Sequence, residues 1–319
     1  MLLSILGLIV GLIALVWSAD RFVTFAAITA NNFGISRMII GLTVVSVGTS
    51  APEIFVGVAA SLDGSPTIAI GNAIGSNIAN IGLVLGITAL ITPLPFPHSI
   101  LKRELPWLLI TTLFVLVCLS NLFLGSIDGI LLLCGLSIIL YKLAHPEKNS
   151  TETTATFEDE LDDLPKLSTS SGLWRLLLAL AVLLTAAEIL TKSAVFIALE
   201  LGVSEIIVGL TVIAIGTSLP ELAASVTAAK KGQPDLAIGN VVGSNILNIL
   251  AVLAVPALIH PIAIDVTIIL RDYVTMLALT LILAFFAYAV GSRKKITRLE
   301  GSIFVSAWVA YNLVLYHQV

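Results

Sequence analysis

Gly41-Leu-Thr-Val-Val-Ser-Val-Gly-Thr-Ser-Ala-Pro-Glu53 decides the fold, because it returns 168 residues later as Gly209-Leu-Thr-Val-Ile-Ala-Ile-Gly-Thr-Ser-Leu-Pro-Glu221. A second stretch, Gly71-Asn-Ala-Ile-Gly-Ser-Asn-Ile-Ala-Asn80, returns at the same offset as Gly239-Asn-Val-Val-Gly-Ser-Asn-Ile-Leu-Asn248. In the window 41–80, 22 of 40 positions are identical to their partners without a gap. Shared hydrophobicity does not produce such a match, so the chain contains an internal repeat.

The repeat extends well beyond the two motifs. Further matched positions are Gly34 and Gly202, Asp20 and Glu188, Pro93 and Pro261, and the pair Arg103-Glu104 over Arg271-Asp272. We therefore divide the chain into a first unit with the motif 41–80, an acidic linker, and a second unit with the motif 209–248. Their predicted bounds are 1–144, 145–172 and 173–319.

The composition is that of a membrane protein. Of the 319 residues, 58% are hydrophobic and 11% are charged, whereas soluble domains are about 25% charged. Ten apolar runs are long enough to cross about 30 Å of hydrocarbon. They lie at about 2–18, 38–61, 68–92, 105–121, 123–143, 173–195, 206–229, 236–258, 269–290 and 300–317. Backbone groups inside a bilayer must be satisfied internally, and the period-2 pattern is weak, so we predict ten helices.

Two features near these runs have an alternative interpretation. The run from Leu2 to Trp17 is followed by the small residues Ser18 and Ala19, as a signal peptide would be, but it lacks a basic leading region. Cys118 and Cys134 lie inside apolar runs, where a free thiol behaves as a small hydrophobe. They indicate neither a disulfide framework nor a metal site.

Five spans per unit is an odd number, so two consecutive units must cross the membrane with opposite polarity. Assigning alternate loops to the two sides places 14 of the 16 basic residues on one face and leaves Lys192 and Arg271 on the other. The positive-inside rule makes the first face cytoplasmic, with both termini outside. The predicted fold is thus all-α and membrane-embedded, with ten transmembrane helices in two inverted five-helix repeats.

The net charge of −4 is concentrated in the acidic linker, which holds 7 of the 20 acidic residues and has no apolar period, as is typical of a solvated segment. The topology places it in the cytoplasm. Calcium sensing by this run is an alternative, but the run lacks the Asp-x-Asp-x-Asp-Gly chemistry of a calcium loop.

Glu53 and Glu221 are the acids near the middle of strongly apolar spans, and Asp20 and Glu188 are weaker candidates. A carboxylate at that depth is normally protonated, paired or bound to a cation. Spans two, three, seven and eight contain no Lys or Arg between 38 and 61, 68 and 92, 206 and 229, or 236 and 258 that could pair with them. A protonated glutamate bonded to a neighbouring helix is the structural alternative.

Oxygen-bearing groups surround each glutamate in the sequence. Pro52 and Pro220 lack the N–H that would bond to the carbonyl of Gly48 or Gly216, so we expect a broken helix one turn before each acid. Hydroxyl and amide side chains follow in phase, and such oxygens are the ligands of hard cations such as calcium and sodium. Packing by small and polar residues between helices is the alternative explanation. The side chains concerned are Thr49, Ser50, Thr217 and Ser218, then Asn72-Ser76-Asn80 and Asn240-Ser244-Asn248.

The duplicated motifs resemble the two alpha-repeats of the sodium/calcium exchanger family, within the cation/calcium antiporter superfamily, in its prokaryotic-type members. The motifs cover about 80 residues directly, and the ten-span layout covers the rest. The resemblance implies an antiporter of the cell (inner) membrane that exchanges sodium for calcium by alternating access, with the first and sixth spans sliding over a fixed core.

The resemblance also implies a ligand set. Glu53 and Glu221 would share one calcium ion, which Thr49 and Thr217 complete. Flanking sodium sites would use the Ser46 carbonyl, Ser50, Ser76 and Ser218 on one side, and the Ala214 carbonyl, Thr217 and Ser244 on the other. Asn80 and Asn248 would close the centre.

Two departures from the family pattern affect the expected function. Potassium-dependent members have Asp where this chain has Asn248, which favours potassium-independent and electrogenic exchange. Eukaryotic members carry large regulatory calcium-binding domains where this chain has a short linker. The expected partners are the bilayer and the two ions, without a cofactor or nucleic acid, and the sequence leaves the oligomeric state open.

Other function classes remain as alternatives. A proton/calcium antiporter of the same superfamily is the nearest, and a passive cation channel is a second. An intramembrane metalloprotease would need a His-Glu-x-x-His motif, which the chain lacks, so we expect no enzyme activity.

Overall fold

The two long helices that open the halves end at matching glycines. In the computed structural model, α1 (Leu2–Phe33) ends at Gly34 with φ of +64°, and α9 (Thr169–Glu200) ends near Gly202 with φ of +82°. A left-handed residue at this place is favourable for glycine, which explains why both copies keep it. The structure describes residues 1–35, 37–96, 100–144, 167–202, 214–288 and 295–318.

The first half contains eight α-helices, several π-helical turns and two short strands within the described ranges. In chain order the α-helices are α1 (Leu2–Phe33), α2 (Arg37–Ile40), α3 (Ser46–Thr49), α4 (Ala51–Leu62), α5 (Pro66–Ala79), α6 (Gly86–Ile91), α7 (Leu105–Cys118) and α8 (Ser126–Ala144). The π-helical turns are Gly41–Val45, Asn80–Leu85 and Ile100–Glu104, a 3-10 turn is Leu119–Asn121, and the strands are β1 (Leu94–Pro95) and β2 (Phe123–Leu124).

The second half repeats this order. Its α-helices are α9 (Thr169–Glu200), α10 (Ala214–Thr217), α11 (Leu219–Lys230), α12 (Pro234–Leu247), α13 (Ala254–Ile259), α14 (Val274–Tyr288) and α15 (Arg298–Gln318). The π-helical turns are Asn248–Val252 and Ile268–Tyr273, and the strands are β3 (Ile262–Ala263) and β4 (Lys295–Ile296). Helices α4 and α11, α5 and α12, and α6 and α13 begin and end 168 residues apart.

The structure confirms a predominantly helical membrane protein with seven to eight apolar helices in its described parts. The seven are Leu2–Phe33, Pro66–Ile91, Ile100–Asn121, Thr169–Glu200, Pro234–Ile259, Ile268–Tyr288 and Arg298–His317. An eighth is the bent pair Gly41–Thr49 and Ala51–Leu62. Of the other two expected spans, 123–143 corresponds to α8, and 206–229 begins among residues 203–213, outside the described ranges. The linker residues 145–166 also lie outside them.

The equivalent helices α1 and α9 pack against each other in opposite directions. A Cβ at Gly7, near the start of α1, would lie 2.2 Å from Ser193 Oγ, near the end of α9. A Cβ at Gly172, near the start of α9, would lie 3.6 Å from Ile28, near the end of α1. Small residues allow this close approach along the two helices. The first helix is therefore an integral part of the fold and the antiparallel partner of its own copy.

Contacts between the halves are reciprocal. Strand β1 pairs with β4 in the other half, and β3, the counterpart of β1, pairs with β2. Helix α6 packs on α15, and its counterpart α13 packs on α8. The matched pairs Arg103–Glu104 and Arg271–Asp272 both form ion pairs, with Nε to carboxylate oxygen distances of 3.3 and 2.6 Å. Each half thus makes equivalent strand and helix contacts with the other.

Candidate cation site

Both glutamates stand in the first turn of a helix that follows a break. Helix α3 ends at Thr49, α4 begins at Ala51, and the segments Gly41–Thr49 and Ala51–Leu62 meet at 48°. In the second half α10 ends at Thr217, and Ser218 has nearly the same backbone angles as Ser50, with φ of −90° against −84°. The expected helix breaks are therefore present. A carboxylate in the first turn also faces the positive end of the helix dipole.

The structure brings the two carboxylates together in the protein interior. Glu53 is 1% exposed and Glu221 is fully buried, and their charges are close enough to repel each other. Among the described residues, no Lys, Arg or His forms an ion pair with either one. Glu53 Oε2 and Glu221 Oε2 also lack a hydrogen-bond partner there. Two buried carboxylates without a positive partner form a strongly cation-attracting centre.

Hydroxyl groups line the space beside the carboxylates. Ser50 Oγ donates to Glu221 Oε1 over 3.2 Å, so a residue of the first half contacts the acid of the second. The Ser76 hydroxyl interacts with Glu53. The hydroxyls of Ser218 and Ser244 are buried and have no partner among the described residues. A hydroxyl that donates one bond keeps its lone pairs, so each of these oxygens can still coordinate a cation.

Thr49 and Ser46 lie on the same broken helix and are fully buried. Thr49 Oγ1 donates to Asn240 Oδ1 over 3.2 Å, which links the broken helix of one half to α12 of the other. Ser46 Oγ donates to the Leu42 carbonyl over 2.7 Å. The Ser46 carbonyl receives the Ser50 N–H at 2.9 Å and has a second lone pair.

Asn80 and Asn248 each begin a π-helical turn, and they occupy matching central positions. Their side chains are at most 1% exposed, and both amide atoms of each lack a partner among the described residues. Single π-helical turns inside α-helices are frequent at functional sites. The predicted spacing of four places Asn80 one turn after Ser76 of α5, and Asn248 one turn after Ser244 of α12, where they extend the polar lining.

Asn72 and Asn240 have a bracing role in both halves. Asn72 Nδ2 donates to the Glu53 carbonyl over 3.1 Å, and Asn240 Nδ2 donates to the Glu221 carbonyl over 3.5 Å. Asn240 Nδ2 also donates to Ser225 Oγ over 3.1 Å. These bonds fix each glutamate-bearing helix against the next span, so they position the acids.

Two other predicted ligands belong to the short helix α10. Thr217 is half-buried at its end, and Ala214 stands at its start. The preceding motif residues 209–213 lie outside the described ranges. The backbone of α10 is described, so the Ala214 carbonyl belongs to the same broken helix as Ser218.

Sequence reasoning missed Asn77 and Asn245. Both are 1% exposed, and Asn77 Nδ2 donates to the Asn245 carbonyl over 3.2 Å at the contact between the halves. Their positions, one residue after Ser76 and Ser244, are off the spacing of four that selected the other polar residues. The duplicated Gly-Ser-Asn triplet was the signal that could have identified them.

The weaker candidates Asp20 and Glu188 lie outside the site. Asp20 Oδ1 pairs with Lys231 Nζ at 2.7 Å, and the Asp20 side chain is 53% exposed. Glu188 Oε1 pairs with Lys192 Nζ at 2.6 Å on the surface of α9. The Arg21 guanidinium stacks over Trp17 at 5.7 Å.

The site offers carboxylate, hydroxyl, amide and carbonyl oxygens in a buried space. Within the described residues no group of three or more His, Cys, Asp and Glu stands together as a resident metal centre would require. Oxygen ligands of this kind suit hard cations such as calcium and sodium. The arrangement therefore fits the binding of hard cations.

Comparison with known proteins identifies a family. The model of the sodium/calcium exchanger protein family matches residues 3–145 and 171–317. The putative antiporter CaxA of Alkalimonas amylolytica is 43% identical over 318 residues, 99% of each chain. The inner membrane protein YrbG of Escherichia coli is 42% identical over 294 residues, 90% of each chain. A solved structure of the sodium-calcium exchanger NCX_Mj matches with a TM-score of 0.83 and 33% identity over 97% of each chain.

Proposed function

The chain belongs to the sodium/calcium exchanger protein family, and we propose that it is a secondary active antiporter that exchanges sodium for calcium by alternating access. Its relatives are named as antiporters and exchangers, which agrees with the prediction that it is not an enzyme. The family's substrates are cations, so calcium and sodium are the proposed cargo.

One observation carries the proposal: Glu53 and Glu221 come from different halves, are buried close enough to repel each other, and have no ion-pair partner among the described residues. Burying two charges is costly unless an opposite charge compensates them. One calcium ion carries two positive charges and neutralises the pair. Several sodium ions are the other means of compensation, so both ions compete for one set of oxygens.

The proposed calcium site consists of the two glutamates with Thr49 and Thr217. One sodium site uses the Ser46 carbonyl with Ser50, Ser76 and Ser218, and the other uses the Ala214 carbonyl with Thr217 and Ser244. Asn80 and Asn248 close the centre between them. Support comes from the oxygens of Ser218, Ser244 and both asparagines, which have no hydrogen-bond partner among the described residues and can bond to a cation.

The proposed architecture has ten spans in two inverted units of five, with the units at 1–144 and 173–319 and the linker at 145–172. Antiparallel packing of α1 on its own copy α9 supports inversion, because equivalent helices of parallel repeats would run in the same direction. The reciprocal strand pairs β1–β4 and β2–β3 support it as well.

We propose a cell (inner) membrane location in a prokaryote, with the linker in the cytoplasm and both termini outside. The strand pairs agree with this sidedness. β1 and β4 belong to two loops that both carry basic residues, whereas β2 and β3 join loops on the other face. Lys231, at the end of α11, also pairs with Asp20, next to Arg21 within α1, so these three charged residues lie at one level of the structure.

The coupling ion decides between sodium/calcium and proton/calcium exchange. The hydroxyl and carbonyl oxygens beside the acids favour sodium, since a proton would need only the carboxylates. The test is calcium uptake into vesicles of purified protein driven by an outward sodium gradient or an outward proton gradient. Uptake driven by sodium at constant pH supports the proposal. Uptake driven by protons alone establishes the proton antiporter. Calcium flux that needs neither gradient and does not saturate with calcium concentration establishes a channel.

A further inference from the structure

Asn77 on α5 and Asn245 on α12 form a hydrogen bond in one direction only. Asn77 Nδ2 donates to the Asn245 carbonyl over 3.2 Å, and both side chains are 1% exposed. The Asn245 amide has no hydrogen-bond partner among the described residues. Because the two positions are equivalent in the repeat, the same bond drawn from the other half would run from Asn245 to the Asn77 carbonyl.

A second contact between the halves has the same direction. Ser50 Oγ donates to Glu221 Oε1 over 3.2 Å, while the equivalent hydroxyl of Ser218 is buried without a partner in the described parts of the chain. One contact within each half is the same in both halves. Asn72 and Asn240 both donate to the carbonyl of the glutamate in their own half. The bonds from these asparagines to the glutamate carbonyls are therefore present in both halves, whereas the two bonds that cross between the halves are each formed in one direction.

The packing of the two helices shows the same asymmetry. A Cβ at Gly243 on α12 would stand 2.7 Å from Ser46 Oγ and 2.8 Å from Leu42 Cα. A Cβ at Gly75 or Gly71 on α5 would have no described atom within 4 Å. In transporters built from inverted repeats, access alternates as one repeat moves against the other around a fixed site. If the halves exchange conformations, Asn245 and Ser218 are the donors that the opposite state needs.

The sequence favours one direction of the asparagine bond. Asn77 Nδ2 lies 3.4 Å from Met276 Sδ, a weak second acceptor. The residue equivalent to Met276 in the first half is Leu108, whose side chain has no acceptor and is fully buried. Asn77 as donor thus gains an additional contact that Asn245 as donor would lack.

We propose that Asn77 and Asn245 are positioning residues whose hydrogen bond reverses its donor when access changes side, and that Met276 biases the pair toward the described state. The proposal rests on the exchange function above. Neither residue needs to bind the cation. Asn77→Ala removes the donor of the hydrogen bond in the state that the structure shows. Asn245→Ala removes the donor of the opposite state, and in the state that the structure shows it removes an amide without a described partner.

The first test measures the half-saturating calcium concentration at each face, with sodium-loaded vesicles of defined protein orientation. The ratio of the two values should shift about threefold to tenfold in opposite directions for Asn77→Ala and Asn245→Ala, as the loss of one hydrogen bond in one state predicts. Met276→Leu, which nearly conserves volume, should shift the ratio as Asn77→Ala does, by a smaller factor. Leu108→Met, which gives Asn245 a sulfur acceptor in the opposite state, should shift it in the same direction as Met276→Leu.

The second test does not depend on transport. In protein with Cys118→Ala and Cys134→Ala, the change Gly71→Cys is labelled by a charged thiol reagent; Asn77→Ala should slow the labelling and Asn245→Ala should accelerate it. A wild type without sodium-driven calcium uptake would refute the proposed function by itself. If the wild type transports, shifts of the same sign in both asparagine variants, or no shift in either, would overturn the donor exchange.

Discussion

Gly243 on α12 lies against Ser46 and Leu42, whereas its counterpart Gly75 on α5 has open space where a Cβ would stand, as far as the described residues extend. Gly239 and Asn240 are buried, while Gly71 is exposed and Asn72 is half-buried. The covering element in the first half is the π-helical turn Gly41–Val45, which packs on α12. Its counterpart, residues 209–213, lies outside the described ranges.

The same motif therefore occupies two different environments. Both copies place an acid, hydroxyls and an amide at the centre, so the shared residues build one site of approximate twofold symmetry. The surroundings differ among the described residues, because Gly239 and Gly243 of the second copy are covered while Gly71 of the first is exposed. In the function proposed above, the identical residues bind the ions, and the unequal packing decides the side from which ions reach them.

The largest expected effect comes from the element that the two halves share. Glu53→Gln and Glu221→Gln should each reduce sodium-driven calcium uptake by at least about a hundredfold. Each variant leaves one of the two positive charges of the bound calcium ion without a carboxylate, and an uncompensated buried charge costs about 3–5 kcal/mol. Glu188→Gln is the matched control, because that acid lies on the surface of α9 beside Lys192. Uptake near the wild-type rate in either the Glu53 or the Glu221 variant would show that the halves do not share one site.

The second prediction separates the covered half from the accessible half. Gly243→Ala should destabilise the protein by about 1–3 kcal/mol, because the added methyl group meets the backbone of Leu42, which cannot move aside easily. Gly75→Ala should be neutral or stabilising by up to about 1 kcal/mol, since alanine is the better helix former. Thermal unfolding in detergent measures both variants. Equal destabilisation would mean that the two helices are equally covered in solution.

The third prediction concerns the charge at the centre, where both halves contribute an asparagine. If three sodium ions exchange for one calcium ion, each cycle moves one elementary charge, worth about 2.3 kcal/mol per 100 mV. Calcium uptake driven by internal sodium should accelerate when the vesicle interior is made positive. Replacing potassium by choline at fixed voltage should leave the rate unchanged. A rate that does not depend on voltage would exclude this stoichiometry. A requirement for potassium would show that an asparagine at position 248 does not make exchange independent of potassium.

The smallest effect is expected at an ion pair that has no counterpart at the equivalent positions of the repeat. Asp20 pairs with Lys231, but the equivalent positions are Glu188 and Asp63, both acidic and unable to pair. Asp20→Asn should change stability by less than about 1 kcal/mol and leave uptake within about twofold of wild type, as for other exposed ion pairs. A loss comparable to that of the glutamate variants would bring Asp20 into the transport pathway.

Much of this arrangement could be predicted from the sequence, because the repeat contains it twice. Pro52 and Pro220 predicted helix breaks, and breaks stand at Ser50 and Ser218. The apolar environment of Glu53 and Glu221 predicted burial, and both are buried. These are local properties of spans with strong composition signals, which fold in the same way in both halves.

Other features depend on contacts that a sequence does not display. The first span was expected at 2–18 but α1 continues to Phe33, since Asp20 and Arg21 find partners in Lys231 and Trp17 and do not end the helix. The crossing bond from Asn77 to Asn245 depends on how α5 meets α12. The unequal coverage of Gly75 and Gly243 likewise arises from tertiary packing, because the motif around them is identical.

Equilibrium calcium binding to the purified protein tests the shared site most directly, with the wild type, Glu53→Gln and Glu221→Gln measured side by side and with sodium as competitor. We expect one calcium ion per chain in the wild type, displaced by sodium, and loss of that binding in both variants. Two calcium ions per chain, with one retained in each variant, would show that each half holds its own ion and would exclude a shared site.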